Sequence, residues 1–440
     1  MKKLFFLFSI FIYFNSYIFA EDKINEDDLF SNPDLIIETD KKITASDSKP
    51  KEEEEKKTVD FTGEITGSSD YFASRDKDEK KNSLSSSVLA KFFLDARLKR
   101  GTKYFADLEI LNNSQIKDKD LDFVLSLKET FIDFNIKNAV YFRTGKQVLQ
   151  WGRCYLWNPT DVINVEKLSF IKKLGSREGT YGIKTHIPFG TKYNIYTFLD
   201  TKNATDTNEL GFAAKYEFLV GNSEMAFSGW NKKGYSPAYS YDFSTKIFGI
   251  DTFGEAAFLY GDNNEKIKEE NGILSTYKER DKWIPKASID FGKQFDFMEI
   301  TDRISVNMEF YYNHTGYTEN ILKDKTIYNF SQADKQGKTS GTKTNLLLNN
   351  NLYEQNNLSR YYAALFTSVK KFIISDMTLQ VNLINNLNDN SSILTTGVTY
   401  KDITDFSLGF NIYSYLGKAD SEYTFQNNSV VTQLTVRVVF

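Results

Sequence analysis

Short runs in which every second residue is apolar recur from about residue 58 to the last residue of this chain. Ile304, Val306, Met308, Phe310 and Tyr312 alternate with Ser305, Asn307, Glu309, Tyr311 and Asn313. Leu210, Phe212, Ala214, Tyr216 and Phe218 alternate with Gly211, Ala213, Lys215 and Glu217. Met377, Leu379, Val381 and Leu383 do the same against Thr378, Gln380 and Asn382. The final run, Val430, Thr432, Leu434, Val436, Val438 and Phe440, has Gln433, Thr435 and Arg437 between its members. A helix would mix the two sets on every face, whereas a strand separates them into one greasy side and one wet side.

About eighteen such segments are present, with sixteen as the alternative count, inside the range of outer-membrane barrels. The expected fold class is all-β: a transmembrane antiparallel up-and-down β-barrel. The connections alternate in length. Long ones fall near 73–82, 113–120, 150–178, 201–208, 231–240, 262–282, 314–357 and 416–428. Short ones include Lys99-Arg100-Gly101, Lys137-Asn138-Ala139, Phe189-Gly190-Thr191 and Gly221-Asn222. The connection 387–391 is short where a long one is expected. Soluble β-sandwiches would need several separate cores and give no reason for this alternation. Closure removes the strand edges that hydrocarbon cannot solvate. A mean hydropathy of −0.45 suits a barrel, in which half of each strand faces a polar lumen.

The amino-terminal region reads as an export signal over 1–20. Lys2 and Lys3 precede an apolar stretch from Leu4 to Phe14, and Ala20 stands at the cleavage position. Residues 21–57 hold thirteen acidic and seven basic side chains and no apolar period. They are expected to be a disordered periplasmic tether. The barrel is expected over 58–440. The whole chain has a net charge of −4, and the acidic tether accounts for it, leaving a balanced body. Nothing there invites nucleic acid.

One cysteine, Cys154, and two histidines rule out an internal disulfide and most metal schemes. No cofactor, metal or catalytic group is expected. His314, in Asn313-His314-Thr315-Gly316, has no serine beside it and no orienting acid that the sequence can place. Enzymatic activity is therefore not expected.

A turn at 137–139 sets a register for two neighbouring strands. Ile136, Phe134 and Ile132 would face Val140, Phe142 and Thr144 on the lipid side. Asn135, Asp133, Phe131 and Glu129 would meet Tyr141, Arg143, Gly145 and Gln147 on the lumen side, making Asp133 and Arg143 an ion pair. The expected pore lining is Glu129, Asp133, Arg143, Gln147, Lys215, Glu217, Lys286, Asp290, Glu309 and Arg437, with Lys184, His186, Glu255, Gln380 and Gln433 on the same face. The signs are mixed, and these polar faces argue for water inside.

The segment 145–178 is the most distinctive. It runs Gly145-Lys146-Gln147-Val148-Leu149-Gln150-Trp151-Gly152, then Leu156-Trp157-Asn158-Pro159-Thr160-Asp161-Val162-Ile163-Asn164. Asn158-Pro159-Thr160-Asp161 reads as a turn. This stretch resembles uncharacterised porin-like outer-membrane families, which carry a Gly-Arg/Lys-Gln…Trp-Gly…Asn-Pro…Asp-Val pattern after an early strand. Lys146 stands where arginine is commoner. The terminal strand ending in Phe440 resembles the assembly signal of bacterial outer-membrane barrels.

That resemblance implies a Gram-negative outer-membrane location, with outer-membrane lipid and the barrel-assembly machinery as partners. A homo-oligomer is compatible with it. A loop with two tryptophans is poorly suited to dangle in water. It is expected to fold inward and narrow the channel, with Trp151, Arg153, Trp157, Asp161, Glu166, Lys167, Lys172 and Arg177 at the constriction. The alternative is a loop on the outer rim with its tryptophans in the aromatic belt. Loop 314–357 is expected to be extracellular and mobile. The function expected is a channel for passive diffusion of small hydrophilic solutes. The competing expectation is a structural or adhesive barrel that displays loops 262–282 and 314–357.

Overall fold

The computed structural model describes residues 58–74, 82–98, 101–114, 123–163, 179–401 and 405–440. The expected signal peptide and tether lie outside the described residues. The first barrel strands are β1 (Thr58–Ser74), β2 (Ser83–Arg97), β3 (Lys103–Asn113), β4 (Val124–Ile136), β5 (Val140–Gln147) and β6 (Thr180–Phe189). Next come β7 (Tyr193–Asp200), β8 (Gly211–Val220), β9 (Ser223–Asn231), β10 (Ala238–Ile247) and β11 (Ile250–Tyr260). Two loop strands follow, β12 (Lys266–Glu270) and β13 (Ile273–Tyr277), then barrel strands β14 (Trp283–Phe297) and β15 (Ile300–Asn313). After loop strands β16 (Tyr328–Phe330) and β17 (Ser340–Gly341), the barrel resumes with β18 (Tyr361–Val369) and β19 (Met377–Asn386). It ends with β20 (Ser391–Lys401), β21 (Phe406–Leu416) and β22 (Asn428–Val439).

The main sheet has 18 strands, each antiparallel to its chain neighbours in the barrel, and β1 pairs with both β2 and β22. The sheet is therefore a closed up-and-down barrel with no free edge of the kind an open sheet has.

The alternation decides which way each side chain points. Phe212, Tyr216, Phe227, Tyr239, Phe258, Phe310, Phe410 and Leu434 are exposed on the outside. Their neighbours of opposite parity, such as Ala213, Lys215, Ala257, Glu309 and Tyr311, are buried. So many exposed large apolar residues on one continuous surface need a lipid solvent. Aromatic rings gather at both ends of this surface. Tyr239, Tyr260 and Trp283 touch at the long-loop end, while Tyr193, Tyr216, Phe218 and Phe227 stack in turn nearer the short turns. Rings with one greasy body and one polar tip suit the two membrane interfaces.

The register around 137–139 is the one the alternation requires: Ile136 pairs with Val140, Phe134 with Phe142, Asp133 with Arg143, and Phe131 with Gly145. Lys137 and Asn138 both take positive φ, the backbone hand that a tight hairpin needs. The ladder stops at Thr130 and Lys146, so Glu129 does not pair with Gln147. Gly145 has φ +133, and a Cβ there would lie 2.3 Å from the Thr130 carbonyl oxygen. The chain turns inward directly after this point.

The long loop 314–357 is folded rather than a bare mobile segment. With residues 261–282 it forms a small four-stranded sheet of β12, β13, β16 and β17, and a helix at Lys343–Asn349. Ile267, Leu274, Leu322, Phe330, Leu346, Leu347 and Leu358 form a core of their own beneath these elements. The apolar residues of this loop are few and aperiodic in sequence, so the core is visible only once the two loops meet.

Candidate functional site: the in-folded segment and its walls

The segment 148–163 lies inside the barrel. Its apolar side chains find three apolar patches on the inner wall, one of them Ala238, Ala257, Leu259 and Ile284, against which Val162 packs. Leu149, Trp151 and Ile163 pack with Phe198, Ala213 and Trp230. Leu156 and Trp157 pack with Tyr311, Tyr362, Ala364, Phe366, Ile384, Ile393 and Tyr423. The Trp157 indole stacks on the Tyr311 ring at 5.4 Å between centroids and 6° between planes. The polar-lumen expectation had no place for these patches. Inward positions on β7–β9 and β18–β20 carry apolar side chains because the segment covers them, not water.

The segment is not helical along most of its length, so its backbone N–H groups need partners. Inward carboxylates supply them. Glu309 accepts from the Leu156 and Trp157 amides at 2.6 and 2.7 Å. Glu255 accepts from the Cys154 amide at 2.7 Å and from both the amide and the hydroxyl of Thr160 at 3.1 and 2.7 Å. Glu129 accepts from the Val148 amide at 2.6 Å. Asp161 folds the segment on itself, taking the Trp151 and Gly152 amides at 2.5 and 2.9 Å. The Asp161 amide donates to the Asn158 carbonyl at 3.1 Å, which closes the expected turn. Successive backbone amides aimed at one carboxylate form a small anion-binding nest. Charge-assisted bonds of this kind are the strong ones.

Arg153 reaches to the wall. Its guanidinium donates to Glu217 and Glu224, each at 2.8 Å, and also bonds Asp242. Lys215 lies against the same group, donating to the Trp151 carbonyl at 3.0 Å and pairing with Asp242 at 3.3 Å. Asp290 accepts from the Tyr155 amide. Thus Lys215, Glu217, Asp290 and Glu309, read from sequence as lining, all contact the segment itself. Lys286 sits higher, within electrostatic reach of Asp262. Burial pushes the Cys154 thiol up, and the nearby Glu255 and Glu309 carboxylates push it further. A thiol so placed is a packing group rather than a nucleophile.

The opposite wall, where the barrel closes, is built differently. Arg437, Glu64, Lys91, Glu109 and Lys128 alternate in sign across β22, β1, β2, β3 and β4. Arg437 pairs with Glu64, and the following separations are 2.9, 3.7 and 3.6 Å. Asp133 and Arg143 make two parallel bonds of 2.7 and 2.9 Å, and the guanidinium also lies 3.8 Å from the centroid of Phe131. Hydroxyl and amide groups continue the polar face upward. Gln433 donates to Asp70 at 2.7 Å and accepts from Asn411 and Tyr413, while Ser68 and Ser87 share a 2.7 Å bond. Gln147 is fully buried and donates to the Arg143 and Gly182 carbonyls.

Phe440 caps the closure. Its amide and carbonyl exchange bonds of 2.9 and 2.8 Å with Gly63, and its ring covers that glycine so closely that a Cβ there would sit 2.6 Å from it. Of the residues expected at the constriction, Trp151, Arg153, Trp157 and Asp161 come together inside the barrel. Glu166, Lys167, Lys172 and Arg177 lie outside the described residues. The residues that sequence reasoning left off the site are the apolar anchors Phe198, Trp230, Tyr362 and Phe366. Their only signal was an aromatic or aliphatic residue at an inward parity.

No family model and no curated protein matches this chain. Solved structures do. Pseudomonas aeruginosa OccK8 (OprE) aligns over 87% of this chain and 98% of its own, with a TM-score of 0.52 and 8% identity. Acinetobacter baumannii OccAB3 aligns over 87% and 99%, with a TM-score of 0.50 and 12% identity. Pseudomonas aeruginosa OccK2 (OpdF), solved in complex with glucuronate, aligns over 87% and 98%, with a TM-score of 0.50 and 8% identity. At such identities the likeness is one of architecture, and this chain has the barrel fold of those outer-membrane porins.

Proposed function

We propose that the protein is an outer-membrane channel through which small hydrophilic solutes diffuse, and that the in-folded segment sets its cutoff. One observation carries this reading: a covalently continuous, heavily anchored stretch of chain is laid inside a lipid-facing barrel. Burying carboxylates beside the segment would cost stability if they were left unpaired, and here the backbone amides and Arg153 pair them. A membrane anchor alone has no use for such a device. A channel does, because a rigid constriction selects by size while the polar wall replaces part of the solute's hydration.

On this reading Glu129, Asp133, Arg143, Gln147, Lys215, Glu217, Lys286, Asp290, Glu309 and Arg437 shape the passage, some by holding the segment and some by facing the solute. Residues 1–20 direct export, 21–57 form a periplasmic tether, and Phe440 is read by the assembly machinery. Self-association into a homo-oligomer fits the same picture.

Planar-bilayer recording tests it. Reproducible conductance steps are expected from the purified barrel, and deletion of 153–170 is expected to enlarge them. A folded barrel that stays silent would refute the channel and favour the display reading. Steps unchanged by the deletion would leave a channel but remove the constriction.

A further inference from the structure

We propose that the last long loop, residues 417–427, is a pH-operated latch. With the Glu422 carboxyl neutral it fastens the extracellular loops to the barrel rim and, through Asn356, to the in-folded segment. With the carboxylate ionised it releases them. This goes beyond the channel reading and does not depend on it.

The geometry is a hub. Glu422 is 1% exposed, although it belongs to a loop outside the strands. Its carboxyl oxygens accept from the Asn356 amide at 2.9 Å, the Tyr362 hydroxyl at 2.7 Å and the Asn386 side chain at 2.6 Å. Those three groups come from a different loop and from β18 and β19. The adjacent Tyr423 hydroxyl donates to the Asn356 side chain at 2.6 Å. The Asn356 carbonyl in turn accepts from the Trp157 indole at 2.8 Å. One residue, Asn356, therefore ties the last loop to the in-folded segment.

The charge surroundings favour a neutral carboxyl. Asp389, on the turn between β19 and β20, accepts the Glu422 amide at 2.7 Å and brings a second carboxylate close. The other titratable groups facing the hub are Tyr362 on β18, Tyr423 beside it and Tyr353 of the neighbouring loop. Among the described residues no lysine or arginine pairs with Glu422. A cavity of about 20 Å³, room for one water, lies against Glu422, Tyr353, Tyr415 and Tyr423. Burial pushes the Glu422 carboxyl up to about 8, against the hydrogen bonds from Tyr362, Asn356 and Asn386, and Asp389 adds to the rise.

A carboxyl whose folded value lies above its free value stabilises the latched state fully below about pH 4.5. That contribution is lost as pH rises through about 8.

The test is backbone amide exchange on the full chain in lipid nanodiscs at pH 6 and pH 9, corrected for the intrinsic pH dependence of exchange. Opening of 354–358 and 417–427 is expected to be about tenfold or more greater at pH 9, as linkage to one such group requires. Glu422→Gln is expected to stay latched at both pH values. Asp389→Asn is expected to move the step to lower pH, because the negative charge that helps hold the Glu422 carboxyl neutral is gone. An unchanged step in Glu422→Gln, or no step in the unaltered protein, would overturn the latch. Should the glutamine variant not fold, an Asp389→Asn step left where it was overturns it equally. Conductance is not part of this readout, so a silent barrel leaves the test intact.

Discussion

The two inner walls of this barrel contain the same kinds of charged residue and use them in opposite ways. On β8–β15 the carboxylates of Glu217, Asp242, Glu255 and Glu309 lie against the in-folded segment and are bonded to its amides and to Arg153. On β22 and β1–β4 the charges of Arg437, Glu64, Lys91, Glu109 and Lys128 neutralise one another strand by strand. The first arrangement immobilises a piece of chain. The second leaves a wall without a strong field. What lies against each carboxylate, not residue type, separates them: Glu255 and Glu309 face backbone amides of the segment, while Glu64, also buried, faces the side chains of Lys91 and Arg437.

Substitutions that break this contrast should differ in size. Trp157→Ala removes the stacked indole from the covered wall and is expected to cost about 3–5 kcal/mol of local or global stability, read by denaturant unfolding in detergent. Glu309→Ala strands the Leu156 and Trp157 amides and should cost about 3 kcal/mol, with faster exchange at both amides. Gly145→Ala forces a side chain against the Thr130 carbonyl at a positive φ and should cost about 1–3 kcal/mol, seen as a lowered unfolding midpoint. Asp133→Asn, on the uncovered wall, should change stability by about 0–1 kcal/mol, and less as salt is added. An Asp133→Asn effect as large as that of Glu309→Ala would erase the distinction between the walls.

Much of the architecture was legible in the sequence because a membrane barrel is governed by a period of two. The count of about eighteen alternating segments is met by the eighteen strands of the barrel. The Asp133–Arg143 pair followed from one turn and one parity rule. The inward course of Trp151 and Trp157 was legible as a problem, since two indoles in a long loop need cover, but the cover itself was not.

Phe198, Trp230, Tyr362 and Phe366 look like breaks in a polar face until the segment is laid on them. The folded cap over 261–282 and 314–357 escaped for the same reason, because its core draws on two loops far apart in the chain.

The sequence by itself determined which residues alternate, hence the strands, their number, the lipid face and the register at the tight turns. These are properties of neighbours along one chain and of the solvent each side requires. Only the tertiary structure decided which inward carboxylates hold backbone amides and which hold opposite charges. That depends on what lies across the lumen, and separation along the chain carries no record of it.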